Sequence, residues 1–149
     1  GISITTLDID GKLQPDLIGD VRSIAVPDAA FDAVVCAEVL EHLPYQEFSV
    51  ALRELRRVTN GFVLISLPDK RSTLLDFKIK LPFLKERRLF WKIHIGRKHV
   101  FDGQHYWEIG AQGFSLDRIK HSIYESGFKI KKDFTDPNSP TIRFFILEK

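Results

Sequence analysis

Three apolar, strand-like runs each end on residues able to hold a ligand. ISITTL ends at Asp8, LIG ends at Asp20, and FDAVVC ends at the Ala37–Glu38 pair. In an open parallel sheet, ligands lie in the crevice beyond the carboxyl ends of the strands. A carboxylate at Asp8 could accept two hydrogen bonds from a ribose diol, or it is a solvated turn aspartate like its neighbour Asp10. Asp20 could accept from an exocyclic amine while the Val21 N–H donates to a ring nitrogen, or it caps a turn. Glu38, Glu41 and His42 follow the third run. An imidazole with a pKa near ~6.5 suits general-base work at neutral pH, and the alternative is that His42 packs a short helical turn.

Other chemistries lack their residues. His94, His99 and His105 are too dispersed in sequence to suggest a metal site, and no local spacing sets two ligands on one face, so no metal is expected. There is no Gly-x-Ser-x-Gly elbow, and the lone Cys36 has no evident base, which removes the hydrolase and protease readings.

The elements that must position these groups follow from periodicity. Ile2–Leu7, Leu17–Gly19, Phe31–Cys36 and Phe62–Leu67 read as strands, with Phe31–Cys36 expected to be buried on both faces. Phe48, Ala51, Leu52, Leu55 and Val58 recur at three- and four-residue steps, predicting an amphipathic helix over 45–59 that stops at Asn60–Gly61. Strand, helix, strand in that order implies a right-handed parallel unit. A second helix follows Ser115 as N-cap and stops at Gly127, and Phe128–Phe134 and Ile142–Leu147 then form an antiparallel pair at a sheet edge.

Composition sets the outer bounds. The chain has 149 residues, 44% hydrophobic and 28% charged, with a net charge of +2, which fits a single globular domain and does not by itself imply a polyanion partner. One cysteine excludes an internal disulfide framework and points to a cytoplasmic setting. No apolar run approaches the ~18 residues of a membrane span. The chain contains no methionine and opens directly on a strand-like segment, so it is expected to be cut from a longer protein.

The order LDID…LIGDVRSIAVPDAAFDAVVCAEVLEHLPYQEFSVALRELRRVTNGFVLISLP, followed by HYWEIG…GFSLDRIKHSIYESGFKI, resembles the class I S-adenosylmethionine-dependent methyltransferases, in particular the methyltransferase-domain group with an EVLEHL-type sequence after its fourth strand. The resemblance covers most of residues 2–67 and 104–149. It implies a Rossmann-like α/β sheet, mostly parallel, of strand order 3-2-1-4-5-7-6, with an antiparallel C-terminal strand pair. It implies S-adenosyl-L-methionine as cofactor, with Asp8 and the adjacent Ile9 at the ribose, Asp20 and Val21 at the adenine, and Ala37 and Glu38 bordering the methionyl end. Glu41, His42, His105 and Tyr106 would face the acceptor, with His42 the first and His105 the second candidate base. The family's first strand and its glycine-rich turn have no counterpart here, so residues 1–149 are expected to bind the cofactor weakly or not at all.

Residues 70–105 interrupt the pattern and are expected to be a substrate-lid insertion in a single, incomplete domain. Within 78–98, eight Lys or Arg stand against one Glu, interleaved with apolar residues. A helical lid is one reading and a peripheral membrane or lipid contact is another. A nucleic-acid interface would need a wider basic footprint. The acceptor is expected to be a small molecule or a lipid- or glycan-linked group. The rival to an enzyme is a non-catalytic module that kept the fold and lost the cofactor loop. A dehydrogenase is disfavoured by the reversed C-terminal strand pair.

Overall fold

The computed structural model describes residues 1–79, 87–93, 98–101, 103–136 and 139–149. The backbone forms β1 (Leu7–Asp8), β2 (Leu17–Ile18), β3 (Phe31–Ala37), α1 (Tyr45–Val58), β4 (Thr59–Pro68), β5 (Ser72–Ile79), β6 (Arg87–Ile93), α2 (Leu116–Glu125), β7 (Lys129–Asp136) and β8 (Ser139–Glu148). Short 3-10 turns occupy Gly11–Leu13 and Leu40–His42.

Apolar runs without alternation become the inner strands. β4 lies between β3, with which it is parallel, and β8, with which it is antiparallel, and β7 closes the edge in the order β3-β4-β8-β7. β1 and β2 pair in parallel as a separate two-stranded unit. The order expected from the resemblance is therefore present on both sides of a gap at the place of its first strand. The gap is a cavity of about 690 Å³, lined from one side by residues 2–7 and Leu17 and from the other by Phe31 and Ala33–Ala37. Leu55 and Val58 of α1 lie at its floor.

The core lies between the sheet and the two helices. α1 turns Phe48, Ala51, Leu52, Leu55 and Val58 inward, and α2 adds Ile119 and Ile123. Trp107, fully buried, meets Phe48 edge-on with ring centroids 5.0 Å apart. Burial of side chains this size contributes about 1.5–3 kcal/mol each. That packing, more than intrinsic propensity, holds a 14-residue helix. The Ser115 side chain caps α2 by accepting from Arg118 N, and Gly127 stops it with φ +88°, as the sequence predicts.

A second anchor lies just past β4. Asp69 is buried and accepts from Arg71 Nε at 2.9 Å and Nη2 at 2.7 Å. Lys92 of β6 lies 3.3 Å from its carboxylate and Arg143 of β8 lies 3.8 Å away. Burial alone would raise this carboxyl, but the Arg71 hydrogen bonds and the surrounding cations hold it below the usual range. Gly110 packs against the same turn. With φ +96°, it would set a Cβ 2.8 Å from Arg71 N, so only glycine fits there.

Four expectations are corrected. Ile2–Leu7 narrows to Leu7–Asp8, because residues 2–6 line the gap and have no strand beside them on that side. Phe31–Cys36 is not buried on both faces: Val34 and Cys36 pack on the core with α1, whereas Val35, on the opposite face, is 69% exposed, with no described element covering it. α1 does not end in a left-handed stop at Asn60–Gly61 but passes straight into β4 at Thr59. Gly61 is needed for closeness instead, because a Cβ there would meet the Asp32 carbonyl at 2.8 Å. The helical lid is replaced by an antiparallel ribbon of β5 and β6. Residues 72–79 and 87–93 are rich in aromatic and branched residues at alternate positions, a strand signal that the local charge obscured. Residues 80–86 and 94–97 of the basic segment lie outside the described residues. Among the described residues, no helix is long and apolar enough to cross a membrane.

Cys36 on β3 is buried, and burial with the nearby Glu41 charge pushes its thiol up to about 12. At pH 8 the folded chain is expected to react with Ellman's reagent at least about tenfold more slowly than the urea-unfolded chain. Equal rates would show that the β3 flank is open to reagent.

Candidate functional site

The carboxyl ends of β1, β2 and β3 carry the polar groups that the sequence marks. Asp8 closes β1, and its Oδ1 accepts from Asp10 N at 2.8 Å in a local turn, with no hydrogen bond on Oδ2 among the described residues. Ile9 beside it is 73% exposed. Asp20 follows β2 and Gly19. Its carboxylate is held in a fork by Arg22, with Nε 2.9 Å from Oδ1 and Nη2 on Oδ2, and those bonds lower its pKa. Ionised and oriented, Asp20 still has lone pairs for an amine. Sequence reasoning passed over Arg22, although its position two residues beyond Asp20 is a common spacing for such a fork. Val21 and Ala37 both line the gap between β1 and β3.

Glu38 leaves β3 with φ +51°, a left-handed conformation costly for a side chain of this kind. Ser66 of β4, buried, keeps it there. The Ser66 hydroxyl donates to Glu38 Oε1 at 2.7 Å, and Glu38 N donates back to Ser66 Oγ at 3.1 Å. Backbone strain supported by dedicated bonds is characteristic of ligand sites. Nothing in the linear pattern marks Ser66, which faces Ala37 only through the parallel register.

Beyond Glu38, the Leu40–His42 turn is tied to the segment before α2. Tyr106 N donates to Glu41 O at 2.9 Å, and Trp107 Nε1 donates to Leu43 O at 3.0 Å. These ties bring His42 and His105 together edge-to-face, with ring centroids 4.9 Å apart. Tyr106 itself is 44% exposed and its ring lies against Phe101. The two candidate bases, 63 positions apart in the chain, therefore share one place. His105 Nδ1 lies 2.7 Å from Glu108 Oε1, and Glu108 also pairs with Lys70 at 2.9 Å. Burial would raise Glu108, but these bonds hold it below the ordinary range. His42 Nδ1 lies 3.0 Å from the Gln104 carbonyl.

Glu41 is fully buried, and neither of its carboxylate oxygens has a hydrogen-bond partner. Burial pushes its carboxyl up, the Glu38 charge adds to this, and His42 and His105 oppose it. One ligand-capable atom from each of Glu41, His42 and His105 lies within 4.8 Å of the others. The reading from local spacing found no metal-ligand set. The fold assembles one from distant positions, which spacing alone cannot show.

Residues 4–65 match the family model described as "Methyltransferase domain". No curated protein matches the chain in sequence. Among solved structures, the glycopeptide N-methyltransferase MtfA complexed with S-adenosylhomocysteine superposes with TM-score 0.54 at 15% identity, covering 89% of this chain and 60% of that one. An S-adenosylmethionine-dependent methyltransferase from Mesorhizobium loti gives TM-score 0.59 at 13% identity, covering 96% and 78%. The 1,6-didemethyltoxoflavin-N1-methyltransferase of Burkholderia thailandensis, with bound substrate and S-adenosylhomocysteine, gives 0.59 at 11%, covering 96% and 59%. The chain thus spans about 60% of the length of the first of these relatives.

Proposed function

We propose that this chain, which has the class I methyltransferase fold and carries that family's sequence pattern over residues 4–65, is the adenosine- and acceptor-facing part of an S-adenosylmethionine-dependent methyltransferase. The observation that carries this reading is that Asp8, Asp20 and Glu38 stand at or just past the carboxyl ends of β1, β2 and β3, whose residues Leu7, Leu17 and Ala33–Ala37 line the two sides of the gap. Asp8 and Ile9 would receive the ribose, Asp20 and Val21 the adenine, and Ala37 and Glu38 the methionyl end. The sulfonium supplies an activated methyl, so these residues mainly hold donor and acceptor in line at ~3–3.5 Å.

At the acceptor end stand Glu41, His42, His105 and Tyr106. The two imidazoles there are the candidates for general-base work, His42 first and His105 second. The acceptor is a small molecule or a lipid- or glycan-linked group, met in the cytoplasm or at a membrane surface. Support for a membrane-surface contact is the 68%-exposed Trp91 on β6 and the cation density of 78–98. Lys92 is not part of that cationic face, because its ammonium is buried against Asp69.

The test is equilibrium binding of S-adenosylhomocysteine by the protein lengthened ahead of Gly1 with a strand and glycine-rich turn. Asp8→Ala is expected to weaken binding about tenfold, as loss of a bidentate charged acceptor should. Unchanged affinity would move the ribose away from β1. Normal single-turnover methyl transfer by both His42→Ala and His105→Ala would remove these residues from the acceptor's proton chemistry. The second reading, a binding module without catalysis, is favoured only by the open gap beside β3 and requires no cofactor affinity at all.

A further inference from the structure

We propose that Glu41, His42 and His105 form a binding site for one divalent transition-metal ion. The first support is the Glu41 carboxylate, fully buried with both oxygens lacking any hydrogen-bond partner. A buried carboxylate without donors or a cation is among the costliest arrangements in a folded protein. Its nearest polar neighbours are two imidazoles and the Glu38 carboxylate, whose charge adds to the negative potential. Apart from the pull of its own backbone N–H, no other described residue donates to Glu41, and a cation between it and the two rings would neutralise it.

The second support is how the rings are held. His42 Nδ1 faces the Gln104 carbonyl, and His105 Nδ1 faces the Glu108 carboxylate. Each acceptor draws the ring proton to Nδ1, so in the neutral ring the lone pair sits on Nε2. Metal-binding histidines are oriented by carbonyl and carboxylate partners in this way. The backbone bond from Tyr106 to Glu41 and the indole bond from Trp107 to Leu43 fix the two ligand-bearing segments against each other.

Ligand atoms held about 2.0–2.2 Å from one ion stand roughly 3–3.5 Å apart. The three ligand atoms lie within 4.8 Å of one another, so binding an ion requires them to draw together, and His42 is the exposed member of the three. Two imidazoles and one carboxylate favour Mn²⁺, Fe²⁺, Co²⁺ or Zn²⁺ over Mg²⁺ or Ca²⁺. Three protein ligands leave positions open on the solvent side, where an oxygen of the acceptor could bind and lose its proton more easily. That last step rests on the methyl-transfer reading, whereas the metal site does not. With an ion bound, the imidazoles would serve as ligands, and a coordinated hydroxyl would give its proton to solvent water while its oxygen takes the methyl carbon and the S–C bond breaks to leave a neutral thioether.

The test is titration of the metal-stripped chain with Co²⁺, followed by its visible d–d absorption, with no S-adenosylmethionine present. One equivalent is expected to bind with saturable bands of a four- or five-coordinate site. Glu41→Gln, His42→Ala and His105→Ala should each weaken binding at least tenfold, while His121→Ala on α2 should not. Circular dichroism of Glu41→Gln separates ligand loss from unfolding, and the two surface-side histidine variants provide the readout if that variant does not fold. Absence of a saturable band, or bands unchanged in all three variants, overturns the proposal. Because the cofactor is absent, failure here leaves the methyltransferase reading untouched, and failure of cofactor binding leaves this site standing.

Discussion

Lengthened ahead of Gly1 by one β-strand and a glycine-rich turn, the protein is expected to bind S-adenosylhomocysteine at least about 100-fold more tightly than residues 1–149 alone. A factor of 100 is about 2.7 kcal/mol, the contribution of one or two hydrogen bonds to a charged group. The physical basis is the cavity of about 690 Å³ between β1 and β3. Among the described residues both flanking strands present unpaired edges to it, and Ala33–Ala37 of β3 line it. A parallel strand in this place would pair on both sides and bring β1, with Asp8, into one sheet with β3 and Glu38. Its glycine turn would add backbone N–H groups for the methionyl carboxylate. Isothermal titration of both forms provides the measurement. Equal affinities would separate the gap from cofactor binding and favour the non-catalytic alternative.

The second large effect concerns folding. Asp69→Asn is expected to destabilise the chain by about 3–5 kcal/mol, the usual cost of removing one partner from a buried charge cluster. For a domain whose total stability is about 5–15 kcal/mol, that is a large share. Arg71, Lys92 and Arg143 would keep their charges, each with a mostly buried side chain, and lose the anion they surround. The sign of the pH dependence follows from the lowered Asp69 pKa. Its contribution is complete above the unfolded aspartate value of about 3.9 and fades as pH falls through the lower folded value. Urea unfolding at pH 7 should show the full difference. As pH falls through the lowered folded value the variant and the parent should converge, and a difference that persisted once Asp69 is protonated would assign the effect to shape and not charge.

Much of the sheet was legible because its strands are long enough to show their type. Apolar runs without alternation marked β3 and β4, the three- and four-residue steps marked α1, and Ser115 and Gly127 bracketed α2. The strand order was legible only through the succession of motifs, since no local pattern says that β8 inserts between β4 and β7. The ribbon of β5 and β6 was misread because eight cations in 78–98 suggested a solvated helix, whereas Lys92 turns inward to Asp69. The site divided in the same way. Asp8, Asp20 and Glu38 announced themselves at strand ends. Ser66 and the meeting of Glu41 with His105 depend on register and on backbone ties across more than 25 positions, and sequence spacing carries no trace of them, whereas Glu108 lies only three positions from His105 and went unread.

The uncovered edge of β3 has a consequence for behaviour in bulk solution. An unpaired strand edge is a template on which another chain can add, and a net charge of +2 gives neighbouring molecules little mutual repulsion. Residues 1–149 therefore carry a built-in route to edge-to-edge assembly that grows with concentration. The same unpaired backbone groups along β3 that would take a strand within one molecule serve equally well as a landing site between two, so solubility and the pairing of this edge are a single property of this chain.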